Sequence, residues 1–418
     1  MLKKENFTIQ LIISKLFLDL TYFLFISKVY YLEYVNDFAT IHFIISFILL
    51  IFFSNFLKIK NKFISDWFKV YFFHLLFLPA LTMFTFQSIE TIFFIKWVIL
   101  YFLLSCAFSI EFNFKNTTIF PIDIDSRYLT FFLLAGFIPY YLVFGFNFNM
   151  DTLNIFSPDL YGGRAQYKNV YFELGYLTYF FSNFQNVLIA FLLAISLYKK
   201  NILFIIVSFF FYLYIFLTTT FKSIFLAPIG IIASYFIIFK KSIYLPKFFI
   251  NVFPFLILFC IVIDSFLSWP FLNAFIVRRV FFATVYISEQ YFTFFESNGF
   301  TFFSELPLFN FLFSSPVNYN IPTTIGHYFY GTGNLNVNFL ADSYIKLGFL
   351  SSLIFIVIVR LLIAFVDKQY KITTQFIIFS LIFIPFFSLG NSSLTTTLFT
   401  HGLFISLLII SQLKLDEK

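Results

Sequence analysis

Apolar runs, each about as long as a membrane crossing, follow one another through the whole chain and are separated by polar connectors. Taking roughly 20 apolar residues as one crossing, about twelve segments qualify: 9–32, 38–57, 70–88, 91–110, 128–146, 174–197, 202–217, 224–239, 248–268, 345–366, 375–390 and 394–412. The pattern predicts an all-α polytopic membrane protein, a single integral membrane domain over 1–418 with about twelve transmembrane helices. Two connectors are long, 147–173 and 269–344, and both are expected as large outer loops. In the second, "NAFIVRRVFFATVYISEQYFTFFESNGF" places Arg279, Phe282, Tyr286 and Gln290 on one side of a helix, with no Pro or Gly before Gly299. It predicts an amphipathic helix at the membrane surface, followed by a Pro/Gly-rich loop.

Composition sharpens this picture. Of 418 residues, 61% are hydrophobic and 11% charged, and the mean hydropathy is +0.91. A water-soluble globule has too little polar surface on those terms. The 76 Phe residues carry no functional signal, because lipid-facing positions accept any large apolar side chain. Lys3 and Lys4 before the first apolar run resemble a signal sequence, but no small-residue cleavage site follows. This run is expected to stay as the first helix.

The net charge of +7 is spread in small basic groups between spans, which reports topology and argues against a nucleic-acid partner. One alternate set of connectors holds Lys58, Lys60 and Lys62; Lys199 and Lys200; Lys240 and Lys241; Lys368 and Lys371. That set, with both termini, is expected on the cytoplasmic side. The opposite set is poorer and contains Arg164, Lys168, Lys222, Arg278, Arg279 and Lys346.

Arginines beside lipid on the outer side fit a pyrophosphate-bearing lipid, since guanidinium forms bidentate bonds to phosphate oxygens. Arg278, Arg279, Arg164 and Lys222 are the candidates. Each has a plainer reading: pairing with membrane lipid phosphates or with a carboxylate such as Asp159, Glu173 or Glu289, and for Lys222 snorkelling from a tight turn. Asp342 and His327 are the acid/base candidates. Asp342 stands four residues before Lys346, so a helix cap and an ion pair are its alternative, and a helix N-terminus would hold it ionised.

No cofactor or metal is expected. Phosphate-loop, dinucleotide and HExxH patterns are missing, Cys106 and Cys260 lie in apolar runs, and Glu33 with Asp37 is a weak metal pattern.

The stretch "NVNFLADSYIKLGFLSS" resembles the late-span segment of O-antigen and capsule repeat-unit polymerases, the Wzy family, and "TTTFKSIFLAPIG" resembles that family's basic turn. The resemblance extends to the layout of spans, cytoplasmic ends and large outer loops, which is also compatible with a GT-C-like arrangement. It implies a membrane glycosyltransferase of the bacterial cytoplasmic (inner) membrane. A growing glycan leaves its undecaprenyl pyrophosphate and joins the next undecaprenyl-pyrophosphate-linked oligosaccharide. By the same resemblance the acidic position is Asp342, the basic turn is Lys222, and Asn338 and Tyr344 contact substrate. A chain-length regulator and a flippase are the implied protein partners. An O-antigen ligase and a polysaccharide flippase or transporter are the alternatives that this reading leaves open.

Overall fold

The computed structural model describes residues 4–28, 34–57, 59, 63–112, 126–146, 148, 173–219, 221–240, 244–267, 270–305, 317, 320–331, 333–369 and 375–412. Among the described residues every regular element is a helix. Seven helical stretches are long and apolar enough to cross a membrane: Phe7–Lys28, Ile64–Thr85, Thr91–Ser109, Leu177–Lys199, Ile202–Thr219, Leu245–Phe266 and Phe349–Gln369. Five apolar helices are shorter, Thr40–Ser54, Ala135–Phe144, Ile224–Lys240, Gln375–Ser388 and Leu403–Gln412. At about 1.5 Å per residue Thr40–Ser54, Gln375–Ser388 and Leu403–Gln412 fall short of a hydrocarbon core of about 30 Å.

We number the helices along the chain as α1 (Lys4–Leu24), α2 (Thr40–Ser54), α3 (Phe63–Phe72 continuing through Phe73–Phe77 and Leu78–Thr85) and α4 (Thr91–Ser109). Next come α5 (Ser126–Phe144), α6 (Leu177–Lys199), α7 (Ile202–Thr219), α8 (Lys222–Ser234 continuing as Tyr235–Lys240) and α9 (Leu245–Phe266). Then follow α10 (Asn273–Phe282 and Ala283–Asn298), α11 (Ile321–Tyr330), α12 (Phe339–Leu347) and α13 (Phe349–Gln369). The last are α14 (Gln375–Ser388), α15 (Leu394–Phe399) and α16 (Leu403–Gln412). Contacts divide the chain into two compact units, the first comprising Met1–Asn113, Leu245–Asp367 and Leu389–Leu394, and the second the remainder.

In the first unit α1 lies along α9 and the later half of α3, α2 covers the same half of α3, and α10 packs among α3, α9, α11 and α12. The backbone dictates much of this arrangement. The first N–H groups of a helix have no partner in their own helix, and away from water something else must bond them. Three carboxylates do so, two from elements distant in the chain and one from the preceding helix. Asp367 on α13 accepts from Ile64 N and Ser65 N at the start of α3, each at 3.1 Å. Glu289 on α10 accepts from Glu90 N, where α4 begins, at 2.6 Å. Asp264 near the end of α9 accepts from Leu272 N at 3.0 Å and Asn273 N at 2.6 Å, and so sets the entry to α10. The opposite end of α4 is closed by Arg360, which donates to Ile110 O at 2.6 Å and Ala107 O at 3.3 Å.

The charges that interrupt apolar runs find partners. Lys15 Nζ bonds Asp19 at 2.7 Å and Thr85 Oγ1 at 3.2 Å, while Thr82 Oγ1 donates to Asp19 at 2.7 Å. Lys96 pairs with Glu296 at 2.6 Å.

In the second unit α6 is the hub, contacted by α5, α7, α8 and α14. The chain's last apolar run is broken there: α15 stops at Phe399 and α16 starts at Leu403. Asn183 Nδ2, just before the π-wound turn Phe184–Leu188 of α6, donates to Phe399 O at 3.1 Å and meets that break.

Candidate functional site

Helix α12 is the centre of the site. Asn338 caps it, its Oδ1 accepting from Leu340 N and Ala341 N at 3.1 Å each, as Asn does well at this position. The same side chain donates from Nδ2 to Ser288 Oγ at 2.7 Å, which fixes the start of α12 against α10. Every residue from Phe339 to Lys346 is buried. The end of α12 is closed by Thr301 N and Phe302 N, which donate to Ile345 O at 2.9 Å and Lys346 O at 3.1 Å. That turn holds Phe302 and Phe303 at φ of 49° and 64°, a left-handed backbone costing roughly 1–2 kcal/mol per residue.

Asp342 lies one turn inside α12, so Asn338 and not Asp342 is the cap. Its side chain is buried, with Lys346 Nζ 3.3 Å from Oδ2, so the ion pair weighed as its plainer role does form. Lys346 is also bonded by Glu305. A helix N-terminus alone would hold the carboxyl ionised. Here burial pushes the Asp342 carboxyl up from its ordinary value, and the nearby Lys346 offsets this only in part. Desolvation outweighs the helix dipole, and the group is a stronger base than its helix position alone implies.

Tyr344 is built into the contact between α12 and α10. Its ring stacks on Phe292 with centroids 3.9 Å apart, and its Oη donates to Glu296 Oε1 at 2.9 Å. Helix α10, read from the sequence as an amphipathic surface helix, is buried on much of its circumference from Ser288 to Phe292. On its π-wound first part, Arg278 is buried and donates from Nε to Ala274 O at 3.0 Å. Arg279 is exposed, its guanidinium 5.6 Å from the Phe275 ring centroid. His327 is exposed in the last turn of α11. The neighbouring Gly326 is required by close approach, since a Cβ there would come within 2.5 Å of Gly333 O.

Six of the sequence candidates, Asp342, Asn338, Tyr344, Arg278, Arg279 and His327, therefore fall in one unit, on α10, α11 and α12. Lys222 is the first residue of α8, in the second unit, and Arg164 lies outside the described residues.

Two features of the site were not legible as such. Glu289, read from sequence as a plausible partner for an arginine, caps α4 instead, and burial pushes its carboxyl up to about 7 despite the bond from Glu90 N. Around Arg278 stands a group of tyrosines. The Tyr34 ring is 5.0 Å from that of Tyr286 and 6.1 Å from that of Tyr22, and Arg278 is near enough for its charge to act on the Tyr34 hydroxyl. Gln290, one turn after Tyr286, donates to Tyr330 Oη at 2.6 Å. No sequence spacing links residue 34 to residues 278–330, so only the folded chain shows the group.

Among the described residues no three His, Cys, Asp or Glu side chains converge as a metal site, and Cys106 and Cys260 are free thiols. The chain matches no protein-family model, no curated protein and no solved structure.

Proposed function

We propose that this chain is a polymerase of lipid-linked glycan repeat units. It crosses a bacterial cytoplasmic membrane about twelve times, with both termini inside, and acts at the outer face. A hydroxyl of the acceptor repeat unit attacks the anomeric carbon of the donor glycan, and the bond from that carbon to the undecaprenyl pyrophosphate oxygen breaks. The hydroxyl proton passes to Asp342, and the charge developing on the departing pyrophosphate is met by Arg278. O-antigen, capsule or a similar polysaccharide is the product.

The observation that carries this reading is the position of Asp342. Asp264, Glu289 and Asp367 bond the starts of helices, and Asp19 is engaged by Lys15 and Thr82. Asp342 sits buried in a helix already capped by Asn338, on the element packed against the helix that carries Arg278. An ionisable group buried in an apolar protein, paired within its own helix to Lys346 and bonding no other helix's start, is a functional-site hypothesis by default.

Glycan chain length in cells tests it. Deletion leaves single repeat units on display, and Asp342→Asn and Arg278→Ala reproduce that phenotype, because loss of a general base costs about 10²–10⁴-fold in rate. Normal chain lengths in both variants overturn the assignment. A ligase would instead leave long chains on the carrier lipid.

One observation favours a second reading, a transporter of the lipid-linked glycan. The break between α15 and α16 faces Asn183, and interrupted helices are how transporters build binding sites within a membrane. On that reading Asn183→Leu abolishes display of even single units. The polymerase reading expects units still to be displayed.

A further inference from the structure

Two buried polar atoms, one on a ring packed against Tyr286 and one a helical turn after it, have no hydrogen-bond partner: Tyr34 Oη and Gln290 Oε1, on residues each 7% exposed. Buried polar groups are nearly always bonded, and one left open loses its water without compensation. The Gln290 amide donates from Nε2 to Tyr330 Oη, and its Oε1 is left open. Tyr34 presents a hydroxyl and Gln290 an amide, which together can donate to and accept from a ligand hydroxyl. Tyr330 is 38% exposed and Tyr286 half-buried, so the group is reached from the surface over aromatic rings. Rings bind the apolar faces of sugars, and the amide and phenol read their hydroxyls.

We propose that Tyr34, Gln290, Tyr286 and Tyr330 form a subsite for a hydroxylated sugar ring, with Arg278 at its phosphate-facing end. It would hold the sugar directly attached to the diphosphate. This rests on the polymerase reading and specifies which part of the substrate these side chains take.

The test uses the full-length protein in lipid nanodiscs and two probes. One is farnesyl diphosphate, a lipid diphosphate with no sugar, and the other is the lipid-linked repeat unit extracted from cells lacking this protein. Wild type is expected to bind both, and Arg278→Ala to weaken both. Tyr34→Phe and Gln290→Leu should each weaken the glycan-bearing lipid about tenfold, the loss of roughly one hydrogen bond, and leave farnesyl diphosphate unchanged. Tyr34→Phe should also leave the ligand-free Tm unchanged or raised, because it removes an unpartnered buried group, an outcome no structural role for that hydroxyl gives.

Equal binding of the glycan-bearing lipid by wild type and both variants overturns the subsite while the polymerase reading stands. Loss of both probes by both variants also overturns it, since the two groups would then be structural. If one variant alone loses farnesyl diphosphate, it has misfolded and the other decides. Wild type that binds neither lipid overturns the polymerase reading, and the subsite with it.

Discussion

The two units differ in what they bury. Among the described residues every buried charged side chain lies in the first unit, from Lys15 and Asp19 through Arg278, Glu289, Asp342 and Lys346 to Arg360. The buried polar side chains of the second unit are uncharged: serines, threonines and Gln185. Removing a charge from water costs several kcal/mol unless it is paired. Buried charge is therefore confined, among the described residues, to one unit, where it bonds helix starts, closes ion pairs and surrounds the proposed site. The second unit is held, among the described residues, mainly by apolar and aromatic contact, and it carries two π-wound stretches and a broken helix. One unit should therefore be sensitive to loss of charge and the other to changes of shape.

The largest effect expected from that difference is at Lys15 and Asp19. Either Lys15→Met or Asp19→Leu alone leaves its partner charged within a sealed cluster, since Lys15 is fully buried beneath Phe43 and Phe47. Each single change should destabilise by about 3–5 kcal/mol. The double variant should recover most of the loss, read as Tm in detergent. Singles and double alike near wild type would show that buried charge is not what this unit depends on.

A smaller effect, on the order of 3 kcal/mol, attaches to pH through Glu289. Its carboxyl is raised from 4.5 to about 7 in the fold. A group raised on folding contributes stability that is fully present below its unfolded value, about 4.5 here, and is lost as pH rises through its folded one. Stability should accordingly fall between pH 5 and 8. In Glu289→Gln, whose amide oxygen can still accept from Glu90 N, the slope should be shallower. It should not vanish, because the raised Asp342 carboxyl acts in the same direction. Identical slopes in the two proteins would remove Glu289 from the account.

The same contrast explains what the sequence reveals. Apolar runs are local, so the positions of the helices can be read directly, and seven of them are long enough to cross. The motif Asn338 to Lys346 is also local: the i,i+4 pair of Asp342 and Lys346 visible in the string forms, while the cap weighed for Asp342 falls to Asn338, one turn earlier. What bonds a helix start from a distance is not local. Nothing near Asp367 points to Ile64, nor near Glu289 to Glu90, and the Tyr34 group joins residues more than two hundred positions apart in the sequence. Helix α10 misleads for a related reason. Its spacing of Arg279, Phe282, Tyr286 and Gln290 reads as one polar-edged face, yet neighbours from α3, α9 and α12 cover most of it.

The smallest of these effects tests the second unit by shape. Gly402 holds φ at +85° in the break between α15 and α16, and a Cβ there would stand 2.3 Å from Val187 Cγ2 and 2.9 Å from Asn183 Oδ1. Gly402→Ala adds no charge and removes no bond, but meets both a backbone penalty and overpacking, together about 1–3 kcal/mol. In Gly402→Ala with Val187→Ala the clashing methyl is gone, so the pair should be less destabilised than the sum of the two single changes. The coupling, about 0.5–3 kcal/mol, measures close approach, and what remains reflects the left-handed backbone. Additive losses would mean that the break is not held by fit against α6, and the contrast between a unit governed by charge and one governed by shape would fail at its second half.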